Sequence, residues 1–122
     1  MNLSAEPQLF VSDIAASCDF FAAIGFATAF VHGDPPFYAQ VARDGARLNL
    51  RHADGPVFDA GFRVRETDAL AATITCDDVA ALSAEFTAAG VAFHQTLRTE
   101  SWGARTFILA DPDGNLILFA GP

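Results

Sequence analysis

The chain has 122 residues, the length of one compact domain, and 52% of them are hydrophobic, so it can bury a real core. Twelve are Phe, more rings than a small core needs, which places some of them at a pocket or a subunit interface. The net charge is −8 and all seven cations are Arg, a balance that excludes nucleic acid as a partner and either favours cationic ligands or serves only solubility.

The N-terminal MNLSAEPQLF has neither the basic nor the long apolar region of a signal peptide. Gln8 to Ser12 reads as a strand, and Asp13 stands where a helix N-cap belongs. Ile14 to Ile24 places Ile14, Cys18, Phe21 and Ile24 at helical spacing, with Gly25 ending the helix. Ala27 to Val31 is a second strand and His32 to Pro36 a turn. Phe37 to Ala42 and Ala46 to Arg51 are strands joined at Asp44-Gly45, a two-residue hairpin signal. Ala53 to Asp68 is an irregular connection. Leu70 to Cys76 reads as a strand, Asp78 as an N-cap, Val79 to Ala89 as a helix closed by Gly90, and Val91 to Thr96 as a strand. A loop at Leu97 to Gly103 leads to a last hairpin, Arg105 to Ala110 and Leu116 to Ala120, around Asp111-Pro112-Asp113-Gly114. No uninterrupted apolar run is long enough to span a membrane. Cys18 and Cys76 form no C-x-x-C or zinc spacing and read as free thiols of a reducing cytoplasm.

The two halves repeat, residues 6–52 and 70–121 of a single domain. Asp13, Phe21 and Gly25 correspond to Asp78, Phe86 and Gly90, and Asp44-Gly45 to Asp113-Gly114. The extra length of the second half is expected in the loop at Leu97 to Gly103. Each half is a β-α-β-β-β unit, so the fold class is α+β with two curled mixed sheets. One sheet face takes the helix, and the other must pack elsewhere or line a cavity.

Alternation sorts the side chains. Leu9, Val11, Ala39, Val41, Leu48 and Leu50 face the first helix. Glu6, Gln8, Phe10, Tyr38, Gln40, Arg47, Asn49 and Arg51 take the opposite face. In the second half Ile74 and Cys76 face the helix and Ala71, Thr73 and Thr75 do not. A four-residue turn pairs Ile108 with Ile117, which puts Arg105, Phe107, Leu109, Leu116 and Leu118 on the non-helix face. A sheet face mixing polar groups and rings suits a pocket with a few polar anchors.

The paired β-α-β-β-β units, the opening LFVSDIAASCDFFAAIGF, the central FYAQVARDGARLNL and the ending WGARTFILADPDGNLILF resemble the vicinal oxygen chelate superfamily of glyoxalase I, extradiol dioxygenases and bleomycin resistance proteins. The W-G-x-R-x-F and D-P-D-G-N pattern is most similar to the bleomycin resistance branch. The resemblance implies homodimers with pockets between subunits and, in the superfamily's enzymes, a divalent metal held by one His, Glu or Gln from each of four strands. Those positions fall on Glu6, Asn49, Ala71 and Leu118, and carbon side chains cannot ligate. His32, His52 and His94 share no ligand spacing. No metal, no other cofactor and no catalytic residue is therefore expected.

The resemblance also implies that Trp102, the one Trp, stacks on a flat ligand. Tyr38, Arg47, Asn49, Glu6, Arg105 and Phe107 are candidate ligand contacts on the pocket face. Phe58 and Phe62 cover either the pocket or a dimer seam. The expected function is a metal-independent, cytoplasmic small-molecule binding protein that sequesters an aromatic antibiotic, cationic in the reading that takes the net charge as a guide. The alternative is a divergent lyase or isomerase of the superfamily with Glu6 or Tyr38 as acid/base. A third reading is a protein-association module that uses the pocket face as an interface.

Overall fold

The computed structural model describes residues 1–122, which form two units, Met1–Val57 and Phe58–Pro122. The first holds β1 (Gln8–Val11), α1 (Ile14–Ala23), β2 (Ala27–His32), β3 (Tyr38–Arg43) and β4 (Ala46–His52). Its sheet runs β1-β4-β3-β2, with β1 parallel to β4 and the other pairs antiparallel. The second holds α2 (Phe62–Arg65), β5 (Leu70–Thr75), α3 (Val79–Ala88), β6 (Gln95–Thr99), β7 (Arg105–Ala110) and β8 (Leu116–Gly121). Its sheet runs β5-β8-β7-β6 in the same sense. The fold is α+β, two four-stranded mixed sheets, neither closed into a barrel.

Local chemistry sets the helix ends. The Asp13 carboxylate accepts the Ala16 N–H at 3.1 Å and Asp78 accepts that of Ala81 at 2.9 Å, each satisfying a donor that the first helical turn leaves open. At the other end Gly25 and Gly90 turn the chain out at φ +84° and +77°, which a Cβ would resist.

The helix-facing stripe of each sheet is the core. In the first unit Leu9, Val11, Ala39, Val41, Leu48 and Leu50 are buried with Ile14, Phe21 and Ile24 of α1 and its C-terminal turn. In the second, Phe86 of α3 meets Phe107 and Phe119 edge-on at 5.8 and 5.5 Å, while those two rings stack at 4.8 Å. Each such ring withdrawn from water contributes roughly 1.5–3 kcal/mol.

The structure corrects the closing hairpin. Leu109, not Ile108, pairs with Ile117, and Phe107 pairs with Phe119. The connection takes in Asn115 as well as Asp111 to Gly114, because Asp111 N–H donates to the Asn115 carbonyl at 2.9 Å and closes the loop there. One residue of register reverses every side chain of β7. Phe107 and Leu109 therefore lie in the core, and Thr106 and Ile108 take the non-helix face. Arg105, which alternates with Phe107, shares that helix-side parity.

Two other expectations shift. The strand expected at Val91 to Thr96 is β6, at Gln95–Thr99. Residues 91–93 are spent returning from α3, with the Val91 N–H donating to the Phe86 carbonyl. The added length of the second unit thus falls equally between α3 and β6 (residues 89–94 against 24–26 in the first unit) and in the β7–β8 turn (111–115 against 44–45), and not in the β6–β7 loop, whose residues 100–104 match 33–37 in number. The connection also contains the single turn α2. There Arg63 donates to the carbonyls of Glu66, Ala69 and Gly114 at 2.8–3.1 Å and lies over the rings of Phe58 and Phe62.

Candidate functional site

On the first unit, the face turned away from α1 is a grid of two rows. Register puts Phe10, Arg51, Tyr38 and His32 side by side in one row, and Gln8, Asn49, Gln40 and Phe30 in the next. Gln40 and Asn49, at the centre, are 7% and 5% exposed. Polar groups so deep need partners, and these have them. Gln40 Nε2 donates to Asn49 Oδ1 at 2.9 Å and to Glu6 Oε1 at 3.3 Å. Asn49 Nδ2 donates to the same Glu6 oxygen at 3.2 Å. Arg47 Nη1 reaches Gln40 Oε1 at 3.5 Å. The Tyr38 hydroxyl donates to Gln8 Oε1 at 2.8 Å. Of the residues expected here, Glu6, Tyr38, Arg47 and Asn49 are thus brought together.

Sequence reasoning missed the aromatic edge of this face. Phe30 stacks on Tyr38 at 6.2 Å and meets the His32 ring at 4.9 Å, tilted by 31°. A register shift in β2 between Thr28 and Phe30 hides the strand's parity. The alternation Phe30-x-His32 was the available signal. His32 ends β2 on this face rather than lying in the turn.

On the second unit, Trp102 is 74% exposed at the tip of the β6–β7 hairpin. The tip is braced from below. The Glu100 N–H donates to the Ala104 carbonyl at 2.7 Å, and the Gly103 N–H donates to the Glu100 carbonyl at 2.9 Å. The Glu100 carboxylate accepts from Arg98 Nε and from the Thr106 hydroxyl, both at 2.8 Å. Those two bonds, Arg98 first, hold its carboxyl below the ordinary value. Glu100 had no place among the expected site residues, since nothing in its spacing marks it.

The remaining candidates divide. Phe107 is fully buried against Phe86, Phe93 and Phe119 and offers no surface to a ligand. Arg105 is half-buried and, by register, turned off the face that carries Thr106 and Ile108. Phe58 and Phe62 stack on each other at 4.9 Å under Arg63 and pack the connection near the β7–β8 turn. An open hollow of about 520 Å³ runs beside β6, lined by Asp68, His94, Gln95 and Arg98 among others, and by none of the expected site residues.

Ala71 is exposed and Leu118 half-buried on β5 and β8, and neither has a donor atom. Glu6 and Asn49 do meet, but through an amide N–H turned onto the carboxylate. No three His, Cys, Asp or Glu side chains are grouped so as to hold a metal ion. These residues do not fit a four-ligand metal centre.

The profile of the Glyoxalase/Bleomycin resistance protein/Dioxygenase superfamily matches residues 5–119. The chain belongs to that superfamily. Solved relatives share the fold over their whole length. A bleomycin resistance determinant encoded on the transposon Tn5 is 19% identical with a TM-score of 0.79, 98% of each chain being covered. A bleomycin-binding protein from bleomycin-producing Streptomyces verticillus, complexed with copper(II)-bleomycin, is 23% identical with a TM-score of 0.76, over 100% of this chain and 98% of that one. A further bleomycin-binding protein, complexed with bleomycin, is 19% identical with a TM-score of 0.78, over 99% of both chains. At such identities the likeness to each is one of fold. A comparison with curated proteins finds no match. Within the superfamily, this member carries Ala71 and Leu118 where the resemblance expects metal ligands.

Proposed function

We propose that this superfamily member is a metal-independent small-molecule binding protein that sequesters a flat aromatic compound by stacking on Trp102. The observation that carries the reading is the exposed indole at a braced hairpin tip, 74% open to solvent. A rigid indole offers a large face at small entropic cost. The ligands of the bleomycin-binding relatives agree with a binding role, and the carbon side chains at Ala71 and Leu118 support metal independence.

A homodimer belongs to the same proposal. Val31, Phe37 and Leu70 are 46%, 57% and 42% exposed, and large apolar side chains left open favour association. A cytoplasmic location rests on the free thiols of Cys18 and Cys76. No helix is long and apolar enough to cross a membrane.

Trp102 is the sole Trp, so its fluorescence reports the site alone. Titration with planar heteroaromatic compounds, bleomycin among them, in the presence of a chelator should quench or shift the emission saturably, and Trp102→Ala should abolish binding measured by calorimetry. Binding that vanishes with chelation, or that persists unchanged in Trp102→Ala, would sink the proposal.

A further inference from the structure

The charge of the polar sheet face on the first unit runs against the charge of the chain. Met1–Val57 carries six carboxylates against three guanidiniums. Five of the six lie off the face. Asp13 caps α1, Asp19 lies exposed on that helix, Asp34 and Asp44 sit in turns, and Asp54 pairs with His52 in the loop after β4. The third guanidinium, Arg43, donates to the Ile24 carbonyl at the C-terminal end of α1. The face itself therefore holds Arg47, Arg51 and the single carboxylate of Glu6. One oxygen of Glu6 is already committed to the amides of Gln40 and Asn49.

Arg47 and Arg51 flank Asn49 on β4. Arg47 has a long contact to the Gln40 side-chain oxygen at 3.5 Å, and Arg51 lies over the Phe10 ring at 5.5 Å from its centroid. Both are exposed. A guanidinium offers five donors in a planar fork, most of them unspent here, and that fork matches a carboxylate. Tyr38 is the direct cross-strand neighbour of Arg51, roughly 4.8 Å away across the ladder, and its ring continues into the Phe30 and His32 rings. A planar group lying along those rings would bring an acidic substituent to the Arg51 fork. The remaining Asn49 amide hydrogen is a further donor.

We infer that this face is a subsite for an aromatic carboxylate, so that local charge, and not the net charge of −8, sets ligand preference. At physiological ionic strength charges more than roughly 8 Å away are largely screened, so the groups on the face itself weigh most. The inference rests on the reading of the chain as a binder of aromatic small molecules, and it names the chemical class taken at one face.

The test uses the whole chain and a matched pair of probes, 2-naphthoate and 2-naphthylmethylammonium. Affinity is measured by calorimetry, and the Asn49 side-chain amide and arginine Nε signals are followed by NMR. Naphthoate should bind about tenfold tighter than the ammonium probe and shift the Asn49 and Arg51 signals. Arg51→Gln should cost naphthoate about tenfold, and Glu6→Gln, which keeps an acceptor for both amides, should tighten it severalfold. Equal or tighter binding of the ammonium probe overturns the inference, as does a naphthoate affinity unmoved by Arg51→Gln. Quenching of Trp102 with no shift at Asn49 or Arg51 overturns it while leaving the aromatic-binding reading standing. Failure of both probes and of planar heteroaromatics to bind overturns both.

Discussion

The Asp111 carboxylate clasps Asn115 across the β7–β8 turn. Its Oδ1 accepts the Asn115 backbone N–H at 2.8 Å and that of Asp113 at 2.9 Å, and its Oδ2 accepts the Asn115 side-chain amide at 2.8 Å. Burial pushes the carboxyl above its ordinary value, while the bonds from Asn115 and Asp113 pull against that shift. The clasp fixes where the loop ends, and so which residues of β7 enter the core.

Asp111→Ala should destabilise the protein by about 2–3 kcal/mol, since buried donors lose a charged acceptor. Urea denaturation checks this. Asp111→Asn, which keeps an acceptor at Oδ1, should lose less. A change under about 0.5 kcal/mol in the alanine variant would mean the turn holds its register without the clasp.

Acid should loosen the Trp102 hairpin tip. The pKa of Glu100 is lowered by its bonds to Arg98 and Thr106, so its brace is fully present above the ordinary value of 4.5 and is lost as pH falls through the lower folded value. Trp102 fluorescence anisotropy should drop on that descent, with its midpoint below 4.5. Glu100→Gln should start low and stay flat. An anisotropy independent of pH in the native chain would remove Glu100 from this role.

Ser17 lies fully buried on α1 with a hydroxyl that meets no partner. Ser17→Ala removes an unpaired polar atom and adds helix propensity, so it should raise stability by about 1 kcal/mol. Thermal melting decides it, and a lowered Tm would point to a bond made through water.

Gly121 ends β8 where its backbone closely approaches the Cys76 carbonyl. A Cβ placed there would run into that oxygen, which is backbone and cannot rotate away. Gly121→Ala should cost about 1–3 kcal/mol and displace the end of β8 from β5. Slowed amide exchange at Cys76, whose N–H donates to the Ala120 carbonyl, would contradict this, since exchange should quicken.

Much of the site was legible where turn chemistry is short and local. Asp44-Gly45 leaves no freedom in the β3–β4 hairpin, so Ala39 with Leu50 and Val41 with Leu48 follow from alternation, and Glu6, Tyr38, Arg47 and Asn49 fall on one face. The same reasoning misplaced Phe107 and Arg105 because the length of the second turn depends on the side chain of Asn115. The β2 bulge concealed Phe30, and the hydrogen bonds that single out Glu100 come from groups that only folding brings within reach.

By itself the sequence determined the repeat, the helix caps, the metal-incompatible Ala71 and Leu118, and the superfamily. These are carried by residue type and by periodicity within one element. Tertiary structure alone decided the register of the last hairpin, the brace beneath Trp102, and the contacts of Arg47 with Gln40 and of Arg51 with Phe10 on the face where alternation had already placed them. Cross-strand pairing and the direction of a charge depend on neighbours distant in the chain, and composition averages over both.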